Sequence, residues 1–173
     1  MSKNIIYKLY WVFWCSTTML TGILAGFLIS QSIMLGRFFT WFIESGNMDL
    51  LRNTYTVFRE ANSPQILYNS FLYLGFISGT LWTILSFINK KDRIISATAG
   101  LSTFWVAIIF RISNFDYLEE MVMSGMADER MAQQFVSLNV PIHTSFAIIY
   151  TISFFLLLIL VLKRMEKEKR KKK

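Results

Sequence analysis

Ile142 to Leu162 reads IHTSFAIIYTISFFLLLILVL, a run with no acidic or basic residue apart from His143 near its start. About 20 such residues in a helix cross a hydrocarbon core of roughly 30 Å. The run is continuous rather than alternating, which fits neither a half-buried strand nor the short dyad-patterned segments of an outer-membrane barrel. Three further stretches share this character: Leu9 to Gly36, Ile66 to Ile88 and Ile94 to Ile112. Together they predict an all-α polytopic membrane protein, a four-transmembrane-helix bundle forming one membrane domain over residues 1–173. The first stretch follows Lys3 and Lys8 and so imitates a signal peptide. It is far longer than an h-region and has no small-residue cleavage site, so a permanent span is expected.

The 173-residue chain is 54% AVILMFWYC and 17% charged, with a mean hydropathy of +0.43. That is too apolar for an ordinary soluble domain and too aromatic for disorder. The lone Cys15 rules out a disulfide framework, and one Cys with one His cannot build a four-coordinate structural zinc site. Cys15 is expected to be a small buried apolar residue.

The net charge of +7 is concentrated. Asn89-Lys90-Lys91-Asp92-Arg93 holds three basic residues, and the tail at residues 163–173 holds eight against Glu166 and Glu168. Cytoplasmic flanks carry such excesses. The sequence therefore predicts both termini in the cytoplasm, the connections at 37–65 and 113–141 outside, and basic residues that serve first as topology anchors and second as attractors of anionic membrane lipid, with no nucleic-acid partner. A bacterial inner membrane is expected, because no Asn-x-Ser/Thr acceptor with an allowed middle residue occurs and Lys, Ile and Asn are used heavily.

Both outer connections carry helical patterns. Phe38, Phe39, Trp41 and Phe42 follow the first span as an interfacial aromatic cluster. Leu51, Tyr55 and Phe58 are then spaced as one face of an amphipathic helix, and Ser63-Pro64 predicts the start of the next. In the second connection Phe115, Leu118 and Val122 share a face opposite Asp116, Glu119 and Glu120. Gly125 interrupts, and Met131, Phe135 and Leu138 resume. Two short extracytoplasmic helices are expected there, with Asn139-Val140-Pro141 opening the last span.

Gly22 with Gly26, and Gly75 with Gly79, are GxxxG pairs, expected to bring the first three spans together. The fourth span, rich in Phe154, Phe155, Leu156, Leu157 and Leu158, has no such seam and is the candidate face for lipid, a membrane-protein partner or a second copy.

Ionisable groups inside a span mark ion and proton pathways, and the middles of these four spans hold none. Polar residues gather instead near the predicted outer ends: Gln31, Arg37, Asn69, Arg111, Asn114, Asn139 and His143. If they form a site, Gln31, Arg37, Asn69 and Asn139 are its binding residues. Arg111 would hold an anionic or carbonyl group, His143 would act as acid, base or ligand, and Asn114 would assist. The alternative is that they cap helices and meet water. Met121, Met123, Met126 and Met131 are thioethers suited to Cu(I), or else packing residues; no other cofactor is expected.

The stretch Thr18-Met19-Leu20-Thr21-Gly22-Ile23-Leu24-Ala25-Gly26-Phe27, followed by Ser30, Ser32 and Met34, resembles the first span of the anthrone-oxygenase-like family of small four-helix integral membrane proteins. Asn62 to Leu67 and the shorter third span are also similar to that plan. Here Met34-Leu35-Gly36 stands where the family often has a proline. Ile112-Ser113-Asn114 stands where it often has an Asn-Val-Pro element, and Asn139-Val140-Pro141-Ile142-His143 opens the fourth span instead. The resemblance implies oxidation of aromatic polyketide-like substrates in some members. The residues themselves point first to a non-catalytic membrane protein that associates with lipid or a larger complex, and second to a small-molecule or oxygenase-like site using Arg111, His143 and Asn114.

Overall fold

A computed structural model describes residues 3–171 of the chain. Met1, Ser2 and the last two residues of the predicted basic tail, Lys172 and Lys173, lie outside the described residues, as do the side chains of Lys3, Lys167, Glu168, Lys169 and Lys171.

The described chain is helical, with no strand among the described residues. Helix α1 (Lys3–Ser30) passes through a π-helical turn, Gln31–Leu35, into α2 (Gly36–Glu44). Short helices α3 (Met48–Leu51) and α4 (Val57–Asn62) flank a second π-helical turn at Arg52–Thr56. Then come α5 (Pro64–Ile88) and α6 (Arg93–Ile95), a third π-helical turn at Ser96–Gly100, and α7 (Ser102–Ile112). Helices α8 (Phe115–Met123) and α9 (Glu129–Lys171) complete the order.

Among the described residues, three helical stretches are long and apolar enough to cross a membrane: Asn4–Glu44, Pro64–Ile88 and Glu129–Glu166. Arg93–Gly100 and Ser102–Ile112 make a fourth if counted as one span bent by 43°. The predicted spans Leu9 to Gly36 and Ile142 to Leu162 therefore lie inside longer helices. Phe39 and Ile43, four residues apart and both buried, carry the first helix past Gly36. At the other end, residues 129–141 are continuous with α9, so only α8 stands as a separate helix in the second connection. Helix α9 continues through Pro141 without a break. Proline leaves the carbonyl four residues earlier without its usual donor, and that residue, Ser137, is exposed.

The chain divides into two compact units. The first comprises Met1–Ala25, Phe71–Trp105 and Ile148–Lys173. Its core holds Tyr10, Trp82, Leu85, Ala99, Leu157 and Leu160. Small residues bring its helices close. A Cβ on Gly22 would lie 2.9 Å from the Phe154 ring, one on Gly75 3.1 Å from Thr103 Oγ1, and one on Gly79 inside the Gly100 carbonyl. Thr17 and Ser78 hydroxyls meet at 2.9 Å, and Tyr150 donates to Thr103 at 3.1 Å. At the bend between α6 and α7, Thr83 donates to the Ser96 carbonyl at 2.9 Å and Trp105 Nε1 to the Ala97 carbonyl at 3.1 Å. Side chains thus serve carbonyls where the helix breaks, as an apolar surrounding demands. Cys15, expected to be buried, is exposed on α1, because its neighbours Thr17 and Thr18 take the inward face.

The second unit comprises Gly26–Ser70 and Val106–Ala147. Phe39, Ile43, Leu51, Phe115, Val122 and Phe135 build its core, with Phe115 and Phe135 stacked at 5.5 Å. The predicted inward face of α8 is the buried one, and Leu51 and Tyr55 also turn inward, whereas Phe58 is exposed. Gly125, at φ +74°, ends α8 in a conformation that favours glycine. Asp128 then accepts the Met131 N–H at 2.7 Å and caps the start of α9. Gly26 has open space where its Cβ would be, so it is not a packing position, in contrast to the other three GxxxG glycines.

Candidate functional site

A buried polar cluster of the second unit is made by a π-helical turn and a stretch of α9 that contains a proline. On one side is the π-helical turn at Gln31–Leu35, where Gly36 N–H reaches back to the Gln31 carbonyl. On the other is the stretch of α9 around Pro141. Asn139, fully buried, donates through Nδ2 to the Gly36 carbonyl at 2.8 Å and to Thr40 Oγ1 at 3.3 Å. Glycine at 36 permits this approach: a Cβ there would sit 2.8 Å from the Gln31 carbonyl and 3.5 Å from Asn139 Nδ2. Gln31 and Ser32 are buried in the same turn.

One turn beyond Asn139, His143 Nδ1 lies 2.8 Å from the Asn139 carbonyl. A carbonyl only accepts, so Nδ1 carries the proton and, in the neutral ring, Nε2 offers a lone pair. Phe115 packs edge-on against the imidazole at 5.5 Å. Asn139 Oδ1 is buried with no hydrogen-bond partner. The cluster therefore ends in two acceptors, His143 Nε2 and Asn139 Oδ1, a pattern that receives a hydrogen-bond donor.

The other predicted site residues are elsewhere on the unit's surface. Arg37 and Asn69 are exposed. Arg111 is largely exposed and pairs with Asp116 at 2.5 Å. Asn114 is exposed at φ +54°, and its carbonyl receives the Leu118 N–H at the start of α8. Both therefore act at the α7 to α8 corner, and His143 hydrogen-bonds to neither. Of the methionines, Met121 and Met131 pack against the core, Met123 is within it and Met126 is exposed. No group of three or more His, Cys, Asp or Glu suited to a metal occurs among the described residues.

Around α8 the charges are unevenly matched. Arg59 pairs with Glu120 at 2.5 Å. Burial pushes the Glu119 carboxyl up to about 7, with the nearby Arg59 opposing and Glu120 and Asp116 adding to the rise. Its side chain nonetheless keeps partial exposure. Burial likewise raises the Tyr55 hydroxyl.

Composition gave no hint of the network at the basic end of the first unit. Asp92, at φ +53° in the turn after α5, accepts from Tyr10 at 2.5 Å and from Arg164. Arg164 also donates to Tyr10 at 3.0 Å and lies over the Trp11 ring at 4.7 Å. Three segments separated by up to 154 residues thus meet at one carboxylate. The only sequence signal was an acidic residue alone among basic ones at positions 90–93.

Compared with known proteins, the chain matches no family model, and no curated protein or solved structure shows significant similarity to it.

Proposed function

We propose that the chain is a four-helix integral membrane protein of an inner membrane, with its termini and the Lys90 to Arg93 turn in the cytoplasm, acting as a non-catalytic interaction subunit of a larger membrane assembly. The observation that carries this reading is on α9. Tyr150, Ser153, Leu157 and Leu160 are buried at 3-4-3 spacing. On another face Ile148, Ile152, Phe155, Ile159 and Leu162, at 4-3-4-3 spacing, are 41–60% exposed. A stripe of large apolar residues in that register is what a second helix packs against. The expected docking face thus moves: Leu157 is in the core and Phe154 lies on Gly22, so the stripe through Phe155 takes their place.

Replacing Ile152, Phe155 and Ile159 together with alanine is expected to release a co-purifying protein while the chain stays in the membrane pellet. Unchanged co-purification would overturn the reading, as would a wild-type chain that runs alone.

A second reading, a small-molecule site with the oxygenase-like character of the resembled family, is favoured by two acceptors that receive no hydrogen bond, His143 Nε2 and the buried Asn139 Oδ1. It predicts a bound molecule lost in His143→Ala.

A further inference from the structure

We infer that the basic end of the first unit binds the headgroup of an anionic phospholipid, with its acyl chains on the adjoining apolar surface; this rests on the membrane reading above. Asp92, the acidic side chain of the turn after α5, is engaged by Tyr10 and Arg164, and Glu166 on the tail forms no ion pair among the described residues. Lys8, Lys90, Lys91, Arg93 and Lys163 are exposed and make no ion pair with a carboxylate among the described residues. Two of these cations are backed by rings rather than by counter-charges: Lys91 Nζ lies 5.7 Å from the Tyr7 centroid and the Arg93 guanidinium 5.5 Å from that of Phe87. Ring contacts orient a cation without neutralising it, so the charge remains available to a phosphate.

The occupant is a lipid rather than a free anion because the same surface is apolar. Tyr7 is 47% exposed, Ile88 58% and Ile94 80%; Tyr7 and Ile94 adjoin Lys8 and Arg93 in sequence, and Ile88 stands two residues before Lys90. A phosphodiester with acyl chains satisfies both halves; inorganic phosphate satisfies one. The site also differs from a general attraction of the basic tail: Arg164, the tail residue nearest the turn, already belongs to Asp92, which leaves the turn residues as the principal contacts.

The test is native mass spectrometry of the full chain in detergent, with phosphatidylglycerol and phosphatidylcholine added in equal amounts. Wild type is expected to retain phosphatidylglycerol preferentially, less so as salt is raised. Each basic residue near an anionic surface contributes about fivefold, so Lys90→Gln, Lys91→Gln and Arg93→Gln combined should lower that preference by about two orders of magnitude. Lys90→Arg with Lys91→Arg should keep it, as should Arg130→Gln in the second unit. Asp92→Asn frees Arg164 and should raise it. Equal retention of the two lipids by wild type, or an undiminished preference in the triple glutamine variant, overturns the inference while leaving the membrane reading intact. A chain recovered from the soluble fraction overturns both.

Discussion

The basic end of the first unit and the buried centre of the second solve the same problem with different chemistry. Each ties together segments far apart in sequence: Tyr10, Asp92 and Arg164 in one, Gly36 and Asn139 in the other. The first uses opposite charges and keeps both side chains about a quarter exposed. The second uses a neutral amide and a backbone carbonyl, and is sealed. Ionised groups lose several kcal/mol of solvation when fully buried, whereas an amide meeting a carbonyl does not. Long-range ties in this chain are therefore ionic where the helices end in turns and neutral where they are packed.

The largest expected effect breaks the neutral tie. Asn139→Leu removes the side-chain donor to the Gly36 carbonyl inside the unit and should lower stability by about 3 kcal/mol. That is a fall of roughly 6–12 °C in melting temperature for the detergent-solubilised chain. A variant melting with wild type would show that the bond at 2.8 Å carries no weight.

Glu119 sharpens the contrast, since it is a carboxylate that the second unit half-buries while its neighbour Glu120 takes Arg59. Its folded value, about 7, lies above the unfolded one. The folded state therefore binds the proton more tightly, and the stabilisation is complete below the unfolded value near 4.5 and is lost as pH rises through about 7. Melting temperature should decline across that window by the equivalent of about 2 kcal/mol after allowance for solvent screening. Glu119→Gln should flatten the decline; a wild-type profile that rises over the same range contradicts the assignment.

The ionic tie is weaker. A double-mutant cycle of Asp92→Ala and Arg164→Ala should give a coupling of about 1 kcal/mol that shrinks with added salt. A coupling insensitive to salt would place the pair in a more enclosed setting than its exposure indicates. Smallest of all is Gly26→Ala, expected within about 0.5 kcal/mol of wild type because nothing lies near the added carbon. Gly79→Ala, whose carbon would strike the Gly100 carbonyl, should be clearly destabilising by the same melting assay.

Much of this was legible in the sequence, and the misses share a cause. The apolar runs, Pro64 as a helix start and the faces of Phe115, Leu118 and Val122 follow from local periodicity. Helix ends were misread where a local breaker is overruled by its surroundings. Pro141 ends a helix by rule, yet here the carbonyl it frees belongs to exposed Ser137. The Gly36 to Asn139 bond joins partners 103 residues apart, which no window along the chain contains. The polar layer failed for a related reason. Similar depth along helices does not make residues neighbours, so Asn139 and His143 meet while Arg111 pairs with Asp116, five residues on. Among the GxxxG glycines, spacing identified the right residue type without identifying which face is covered.

The measurement that bears most directly on the account is native mass spectrometry of the chain extracted gently from its own membrane. The predicted result is a stoichiometric protein partner that is lost when Ile152, Phe155 and Ile159 become alanine. A chain without a protein partner, carrying instead a small molecule that disappears in His143→Ala, would contradict it.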